Sequence, residues 1–257
     1  MSGRHGDAPA ATGPAPGWAV HADPAVKVAA LVGFVLAVVA TPRDAWWAFA
    51  ADALLLAVAA LAVRIPPATL ARRLAVDAPF VVFAVALPFV GTDPRTEVGP
   101  LSLSVPGLWA AWGILAKAGL ATSAAVLLGW TTPAAEVLVG LERLRVPRPL
   151  VAIAGFMVRY LDVVAGELRR LEVARLSRGD DPRWLWQGRA VAGTAGTLFV
   201  RSYERGERVA HAMAARGFTG TMPPTAAPRR PGAATWPVVV VPVLALATTA
   251  AALVVAR

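Results

Sequence analysis

Five long apolar stretches determine what this chain can fold into. They cover residues 26–40, 46–63, 74–90, 108–130 and 234–256. A helix rises about 1.5 Å per residue, so roughly 20 mostly apolar residues cross a hydrocarbon layer about 30 Å thick. Each stretch therefore predicts a membrane-spanning helix. The third contains Asp77 and Pro88, so we expect five spans, or six if this region forms two short pieces.

Composition supports an all-α polytopic membrane protein. Apolar residues make up 57% of the 257 residues, the mean hydropathy is +0.59 and only 16% of residues are charged. The absence of cysteine excludes disulfides and thiolate metal sites. The three histidines, His5, His21 and His211, lack the spacing of a metal-binding motif. We therefore predict no catalytic residues and no metal ligands in this chain.

Basic residues in the short loops predict the orientation. Loop 64–77 carries three arginines, whereas loops 41–44 and 91–104 carry one each, and lysine and arginine are retained on the cytoplasmic side. We expect a protein of the cell membrane with its amino terminus inside. The predicted parts are a flexible cytoplasmic tail (1–24), spans one to four (25–130), a cytoplasmic segment (131–232) and the last span (233–257).

The segment 131–232 differs in charge from the rest of the chain. It holds 16 arginines against 9 acids, which accounts for +7 of the formal net charge of +9. Acids and arginines alternate at helical spacings, such as Glu204 with Arg208 and Glu167 with Arg170. This pattern is typical of solvated helix faces, so nucleic acid is not an expected partner.

Two long helices are predicted in this segment, over about 150–179 and 183–216. The first should pack through an apolar stripe at steps of three and four, formed by Met157, Leu161, Val164, Leu168 and Leu171. The second should turn Leu198, Ser202, Val209 and Met213 inward. Proline precedes the first helix and "TMPP" (221–224) follows the second, which sets their limits.

Both predicted helices end on Arg-Gly, in "ARLSRGDD" and "HAMAARGFTG". Glycine adopts the left-handed conformation that closes a helix, and a preceding arginine can interact with the negative end of the helix dipole. The guanidinium can instead make a forked contact with carboxylates or carbonyls of another protein. The recurrence of the pattern favours a partner, although both interpretations stay open.

The stretch "LFVRSYERGERVAHAMAARGFTG" (198–220) resembles the second coupling helix of the transmembrane T component of energy-coupling factor transporters, in particular the cobalt-type CbiQ group. The stretch "MVRYLDVVAGELRRLEVARLSRG" (157–179) resembles the first coupling helix. Ser177 stands where the family's Ala-Arg-Gly signature usually has alanine, and serine is small enough for the same groove. The resemblance extends over nearly all of the chain from Asp23 onward.

The resemblance implies a cytoplasmic coupling domain of two long crossed helices in a scaffold that is not an enzyme. Two cytoplasmic ATPase subunits would contact its helix ends, and a membrane S component would capture the substrate, expected to be cobalt, with nickel or a vitamin as alternatives. ATP and magnesium would belong to the ATPases, with no cofactor in this chain. The ATPase-contacting residues carried over by position are Ser177, Arg178, Gly179, Ala215, Arg216 and Gly217.

The positions of the lysines support ATP binding by another subunit. A membrane enzyme is the alternative class of protein. Lys27 and Lys117 are the only lysines and neither lies in a GxxxxGK[ST] loop. A polytopic membrane enzyme acting on an anionic substrate would need a cluster of carboxylates and histidines, whereas the acids are isolated. Asp52, Asp77 and Lys117 lie within or near spans. They could stabilise the fold, contact the S component or line a path, and Lys117 could pair with Asp52.

Overall fold

The computed structural model describes residues 16–91, 94–98, 101–179, 188–220 and 235–255. Its helices are α1 (Gly17–His21), α2 (Pro24–Ala40), α3 (Trp46–Ala62), α4 (Pro67–Leu74), α5 (Ala78–Val90), α6 (Val105–Thr131), α7 (Ala134–Arg143), α8 (Arg148–Leu176), α9 (Gly188–Ala215) and α10 (Trp236–Val255). A 3₁₀ turn, Ala75–Asp77, joins α4 to α5, and strands β1 (Arg95–Val98) and β2 (Leu101–Ser104) form an antiparallel hairpin.

The chain divides into two compact units. Among the described residues, those from 16 to 144 and from 235 to 255 form the first unit, and those from 145 to 220 form the second. The first unit therefore contains α1 to α7 and α10, and the second contains α8 and α9. The all-α fold class is confirmed.

The predicted spans correspond to helices of the first unit. Four of them match α2, α3, α6 and α10 to within three residues at each end, and the third is the continuous path α4, 3₁₀ turn and α5. By length and apolar composition, four described helical segments could cross a membrane: Pro67–Val90, Val105–Thr131, Arg148–Leu176 and Trp236–Val255. Helices α2 and α3 are apolar but shorter, at 17 residues each.

Helix α8 meets the criteria for a candidate span because it is 29 residues long and its first half is apolar. Residues 149–158 carry no charge, whereas residues 159–175 carry Arg159, Asp162, Glu167, Arg169, Arg170, Glu172 and Arg175. Charged side chains in a bilayer are costly and face a protein interior or a water-filled cavity. Because Arg159, Asp162, Arg169, Arg170 and Glu172 are exposed, the second half of α8 lies outside any membrane-spanning segment.

Three local features differ from the sequence-based expectations. Helix α1 forms within the expected tail, and Ala19 in this helix and Ala22 directly after it are buried. Helix α7 and the hairpin β1–β2 were not predicted. The hairpin is short and polar, which gives it no long alternating pattern to detect.

Helix α2 lies at the centre of the first unit, in contact with α6, α7 and α10. The buried apolar cluster around it comprises Phe34, Ala37, Val38, Phe49, Leu56, Leu120, Ala124 and Ala245. Because these side chains come from α2, α3, α6 and α10, helices far apart in sequence share one core.

Polar side chains join the same helices. Thr248 donates to Asp52 Oδ1 at 3.1 Å, which links α10 to α3. Thr122 donates to Asp77 Oδ1 at 2.8 Å, which links α6 to the 3₁₀ turn. Lys117 donates to the carbonyl oxygen of Val39 at 2.7 Å, so its bond goes to α2 backbone and not to Asp52. All three ionisable side chains therefore contribute to helix packing.

An ion pair fixes α7 against α2. Asp23 caps α2 through the backbone N–H of Ala25 at 2.9 Å. Its second oxygen accepts from Arg143 Nη1 at 2.6 Å, and the Asp23 side chain is 3% exposed. Gly140 permits this close approach, because a Cβ there would lie 2.8 Å from the carbonyl oxygen of Pro24. The last turn of α7 is thus held at the start of α2.

The α5–α6 contact allows a first prediction. A Cβ on Gly107 would lie 2.6 Å from the carbonyl oxygen of Leu87, a backbone atom that cannot move aside freely. We expect Gly107→Ala to destabilise the protein by about 1–3 kcal/mol, measured by thermal unfolding in detergent. Gly119→Ala on the same helix is the control, since its Cβ would meet no atom within 4 Å. Equal melting temperatures of the two variants would contradict this packing.

Candidate functional site

Helices α8 and α9 pack in opposite directions. Glu167 on α8 accepts hydrogen bonds from Arg170 at 3.0 Å and from Arg201 on α9. Further along α8, Arg175 donates to Thr194 at 3.3 Å. The later residue on α8 contacts the earlier residue on α9, so the two helices are antiparallel.

The inner face of α9 agrees with the sequence-based prediction. Leu198, Ser202, Val209 and Met213 are half-buried, while Phe199, Val200 and Tyr203 between them are exposed. These four positions are spaced four, seven and four residues apart, which places them on one side of α9.

The predicted apolar stripe of α8 is wrong at three of its five positions. Met157, Leu161 and Leu168 are 68%, 66% and 38% exposed, whereas Val164 and Leu171 are half-buried. The half-buried side of the helix instead includes Tyr160, Val164, Glu167, Leu171 and Arg175. The reason is that Glu167 turns toward α9 to bind Arg201, which rotates the contact face away from Met157 and Leu161.

The end of α8 is closed by glycine. Gly179 has φ +82°, and its N–H donates to the carbonyl oxygen of Leu176 at 3.0 Å. The hydroxyl of Ser177 donates to the carbonyl oxygen of Ala174 at 3.0 Å. Glycine adopts such a φ at little cost, so Gly179, directly after Arg178, stops the helix from continuing.

The end of α9 has the same geometry. Gly217 has φ +82°, and its N–H donates to the carbonyl oxygen of Ala214 at 3.0 Å. The N–H of Phe218 donates to the carbonyl oxygen of Met213 at 3.0 Å. These two bonds form a Schellman motif, so the backbone itself satisfies the final carbonyl groups of α9.

The side chains at both ends are free to contact another molecule. Ser177, Arg178, Gly179, Ala215, Arg216 and Gly217 are all exposed. Within the described part of the chain, neither the Arg178 nor the Arg216 guanidinium forms a hydrogen bond or an ion pair. The arginines therefore do not cap their own helices there, and the glycine motifs do so instead.

The two ends point in opposite directions from the contact between the helices. Arg178 follows Glu167 by 11 positions and Arg216 follows Arg201 by 15. At about 1.5 Å per residue, they lie ~16 Å and ~22 Å along antiparallel axes from that contact. The six predicted site residues therefore form two separate groups of three.

Some sequence-based predictions fall outside the described residues. Helix α8 begins at Arg148 and α9 is described from Gly188, so the expected start at Arg183 lies outside them. The same holds for the Asp181–Pro182 cap of the second helix and for the "TMPP" stop at 221–224.

Comparison with protein families gives a match that includes both helix ends. The model of the CbiQ family, described as cobalt transport protein, matches residues 17–225. This chain belongs to the CbiQ family. The matched range contains α1 to α9 and ends before α10.

Individual relatives of this CbiQ chain agree with the family match. The cobalt transport protein CbiQ of Rhodobacter capsulatus is 32% identical over 131 residues, which cover 49% of this chain and 52% of that protein. The energy-coupling factor transporter transmembrane protein EcfT of Bacillus selenitireducens is 27% identical over 223 residues, which cover 77% of this chain and 78% of that protein. A putative fused cobalt transport protein CbiMQ of Methanocorpusculum labreanum is 28% identical over 92 residues, 36% of this chain and 15% of that protein. The chain thus spans about half the length of the first of these relatives.

Glu167 joins α8 to α9, and only one of its two contacts was predictable from the sequence. Its spacing from Arg170 indicated an ion pair within α8, and that pair is present at 3.0 Å. The contact with Arg201 was not predictable, because the two residues are 34 positions apart. Hydrogen bonds from Arg170 and Arg201 lower the pKa of the Glu167 carboxyl below its usual value.

A second prediction concerns this contact. Because the folded-state pKa of Glu167 is lowered, its stabilising effect is present at pH 7 and is lost as the pH falls through that pKa. At pH 7, Glu167→Gln should increase deuterium exchange of backbone amides around Arg201, measured by mass spectrometry. Glu172→Gln is the control, since Glu172 is exposed on the same helix. Unchanged exchange in Glu167→Gln would show that the pair does not hold α9.

Proposed function

We propose that this CbiQ-family chain is the transmembrane T component of an energy-coupling factor importer. In this role, the first unit forms the membrane-embedded part, and α8 and α9 are the coupling helices. Two cytoplasmic ATPase subunits dock on the two Arg-Gly ends. A membrane S component captures the substrate, and ATP hydrolysis is transmitted through α8 and α9 to release that substrate inward.

The observation that carries the proposal is the shared geometry of the two Arg-Gly ends. Each presents an exposed arginine directly before a glycine with φ +82°. The antiparallel packing directs the two ends apart, which suits two separate subunits of one ATPase pair. An arginine held at an abrupt helix end can enter a groove on a partner and bind its carboxylates or carbonyls through the guanidinium fork.

Cobalt is the proposed cargo. The family description and the name of the Rhodobacter capsulatus relative both refer to cobalt transport. The EcfT relative, which aligns with 77% of this chain, carries only the general transporter name. Nickel or a vitamin therefore remains the alternative cargo, because an S component selects the substrate.

The proposed role is not catalytic and requires no cofactor in this chain. ATP and magnesium would be held by the partner ATPases. The membrane-enzyme alternative needs several acids or histidines close together. No group of three histidine, cysteine, aspartate or glutamate side chains that could hold a metal ion is found among the described residues.

The orientation follows from the proposed contacts. Because the ATPases are cytoplasmic, α8 and α9 lie on the cytoplasmic side, and so do the amino end of α2 and the carboxyl ends of α3 and α6. This is the orientation that the arginines of loop 64–77 indicate. The hairpin β1–β2 then lies on the outer side.

Co-expression with the products of neighbouring genes tests the proposal. We expect the tagged chain to co-purify with an ATPase pair and a small membrane protein, and the complex to drive ATP-dependent uptake of radioactive cobalt into vesicles. Purification without any ATPase would contradict the T-component role. Uptake of nickel or a vitamin in place of cobalt would retain that role and change the cargo.

A further inference from the structure

A deep apolar cleft lies within the first unit, between α2, α3, α6 and α10. Its volume is ≈ 470 Å³, which lies in the range of about 300–1,000 Å³ that is usual for small-molecule sites. Leu31, Leu55, Ala59, Leu127 and Val241 contribute to its walls. Among the described lining residues, only Lys27, Thr131 and the indole of Trp18 carry polar side-chain groups.

Contacts between the start of α3 and the end of α10 lie beyond one end of the cleft. At one end, Ala45, Ala48 and Ala252 pack together in a buried cluster. Hydrogen bonding of Thr248 to Asp52 holds the next turn. The cleft lining on α3 begins at Leu55 and extends to Val63, away from these contacts.

Helix α10 packs against α2 beside the cleft. Pro242 lies 3.6 Å from the Cβ position of Gly33 on α2. Two other lining residues, Val58 on α3 and Val240 on α10, are 57% and 47% exposed. The cleft therefore reaches the outer surface of the unit between α3 and α10, where a membrane-embedded protein meets the hydrocarbon of the bilayer.

The lining restricts what can fill this cleft. Water is poorly held in an apolar cavity, because each molecule needs two or more polar partners. The main polar group, Lys27 Nζ, already donates to the carbonyl oxygens of Val20 and Thr131 at 3.1 and 3.3 Å. A hydrocarbon chain needs no polar partner and fits these walls.

Charge near the cleft indicates the headgroup. Residues 64–73 directly follow the lining residue Val63 and carry three arginines and no acid. Arg64 and Arg72 are exposed. Basic residues at a membrane surface attract anionic lipids. We propose that the cleft binds one acyl chain of an anionic phospholipid, whose headgroup lies at this basic end.

Native mass spectrometry of the full-length chain in mild detergent tests the proposal. Delipidated protein is incubated with phosphatidylglycerol or with phosphatidylcholine of the same chain length. The cleft variant is Ala59→Trp, and the matched control is Ala57→Trp, an exposed position of the same helix outside the lining. We expect wild type and Ala57→Trp to retain one phosphatidylglycerol, and Ala59→Trp to lose it by about tenfold or more in affinity.

A second pair of variants keeps the test decisive if Ala59→Trp fails to fold. Ala30→Phe fills the cleft from α2, and Ala29→Phe is its exposed neighbour. Unchanged lipid binding in the cleft variants would overturn the proposal, and so would equal loss in the controls. Equal binding of both lipids would overturn the headgroup assignment. If the cleft variants lose a membrane protein partner but keep the lipid, the cleft holds a protein segment instead.

Discussion

Replacing Arg178 and Arg216 together by alanine is expected to release the ATPase pair and to abolish ATP-driven uptake, while the chain remains in the membrane. Both side chains are exposed at helix ends whose backbone is capped by glycine, so their removal leaves α8 and α9 intact. Loss of a charged contact at a desolvated interface costs about 2–5 kcal/mol. The lower value, about 2 kcal/mol, already corresponds to about 30-fold in affinity for each arginine.

The control for this prediction replaces two other exposed arginines. Arg169→Ala and Arg208→Ala remove one guanidinium from each helix, away from the ends. We expect this double variant to bind the ATPases and transport normally, as measured by pull-down and uptake in vesicles. Wild-type behaviour of the Arg178→Ala, Arg216→Ala double variant would show that the arginines are not the contact.

Asp23→Ala is expected to destabilise the first unit by about 4 kcal/mol. The variant removes a nearly buried carboxylate that accepts from Arg143 Nη1 at 2.6 Å, and the Arg143 side chain is 29% exposed. Breaking a buried ion pair costs about 3–5 kcal/mol, and the partial exposure of Arg143 favours the lower end. Loss of the helix cap at Ala25 adds about 1 kcal/mol in the same direction.

The expected measurement is a lower melting temperature in detergent. Asp44→Ala is the matched control, because Asp44 is 79% exposed and lies 3.9 Å from Arg43. Surface pairs of this kind contribute about 0–1 kcal/mol, so the control should melt close to wild type. Equal melting of Asp23→Ala and Asp44→Ala would mean that the pair does not fix α7 on α2.

Elements that depend on a local sequence pattern could be predicted. The apolar stretches gave the spans because bilayer thickness sets helix length, and α2, α3, α6 and α10 follow the predicted limits closely. The Arg-Gly pairs indicated both helix ends because glycine adopts left-handed backbone at little cost, and Gly179 and Gly217 both have φ +82°.

Features that depend on tertiary contacts could not be predicted in the same way. Asp23 and Arg143 are 120 positions apart, and no local spacing relates them. The contact of Glu167 with Arg201 decides which face of α8 turns inward, and it overrides the apolar stripe at Met157 and Leu161. Arg64 and Arg145 also have left-handed backbone, with φ 59° and 63°. Because neither position is a glycine, the sequence does not indicate this conformation.

Cross-linking from single cysteines tests the central claim most directly, because the natural chain contains no cysteine. Ser177→Cys and Ala215→Cys place one thiol at each Arg-Gly end, and Thr96→Cys places one at an exposed position of strand β1. In the complete transporter, both end variants should cross-link to an ATPase subunit and Thr96→Cys should not. Cross-linking to the ATPases from Thr96→Cys alone would contradict the proposed docking at the two helix ends.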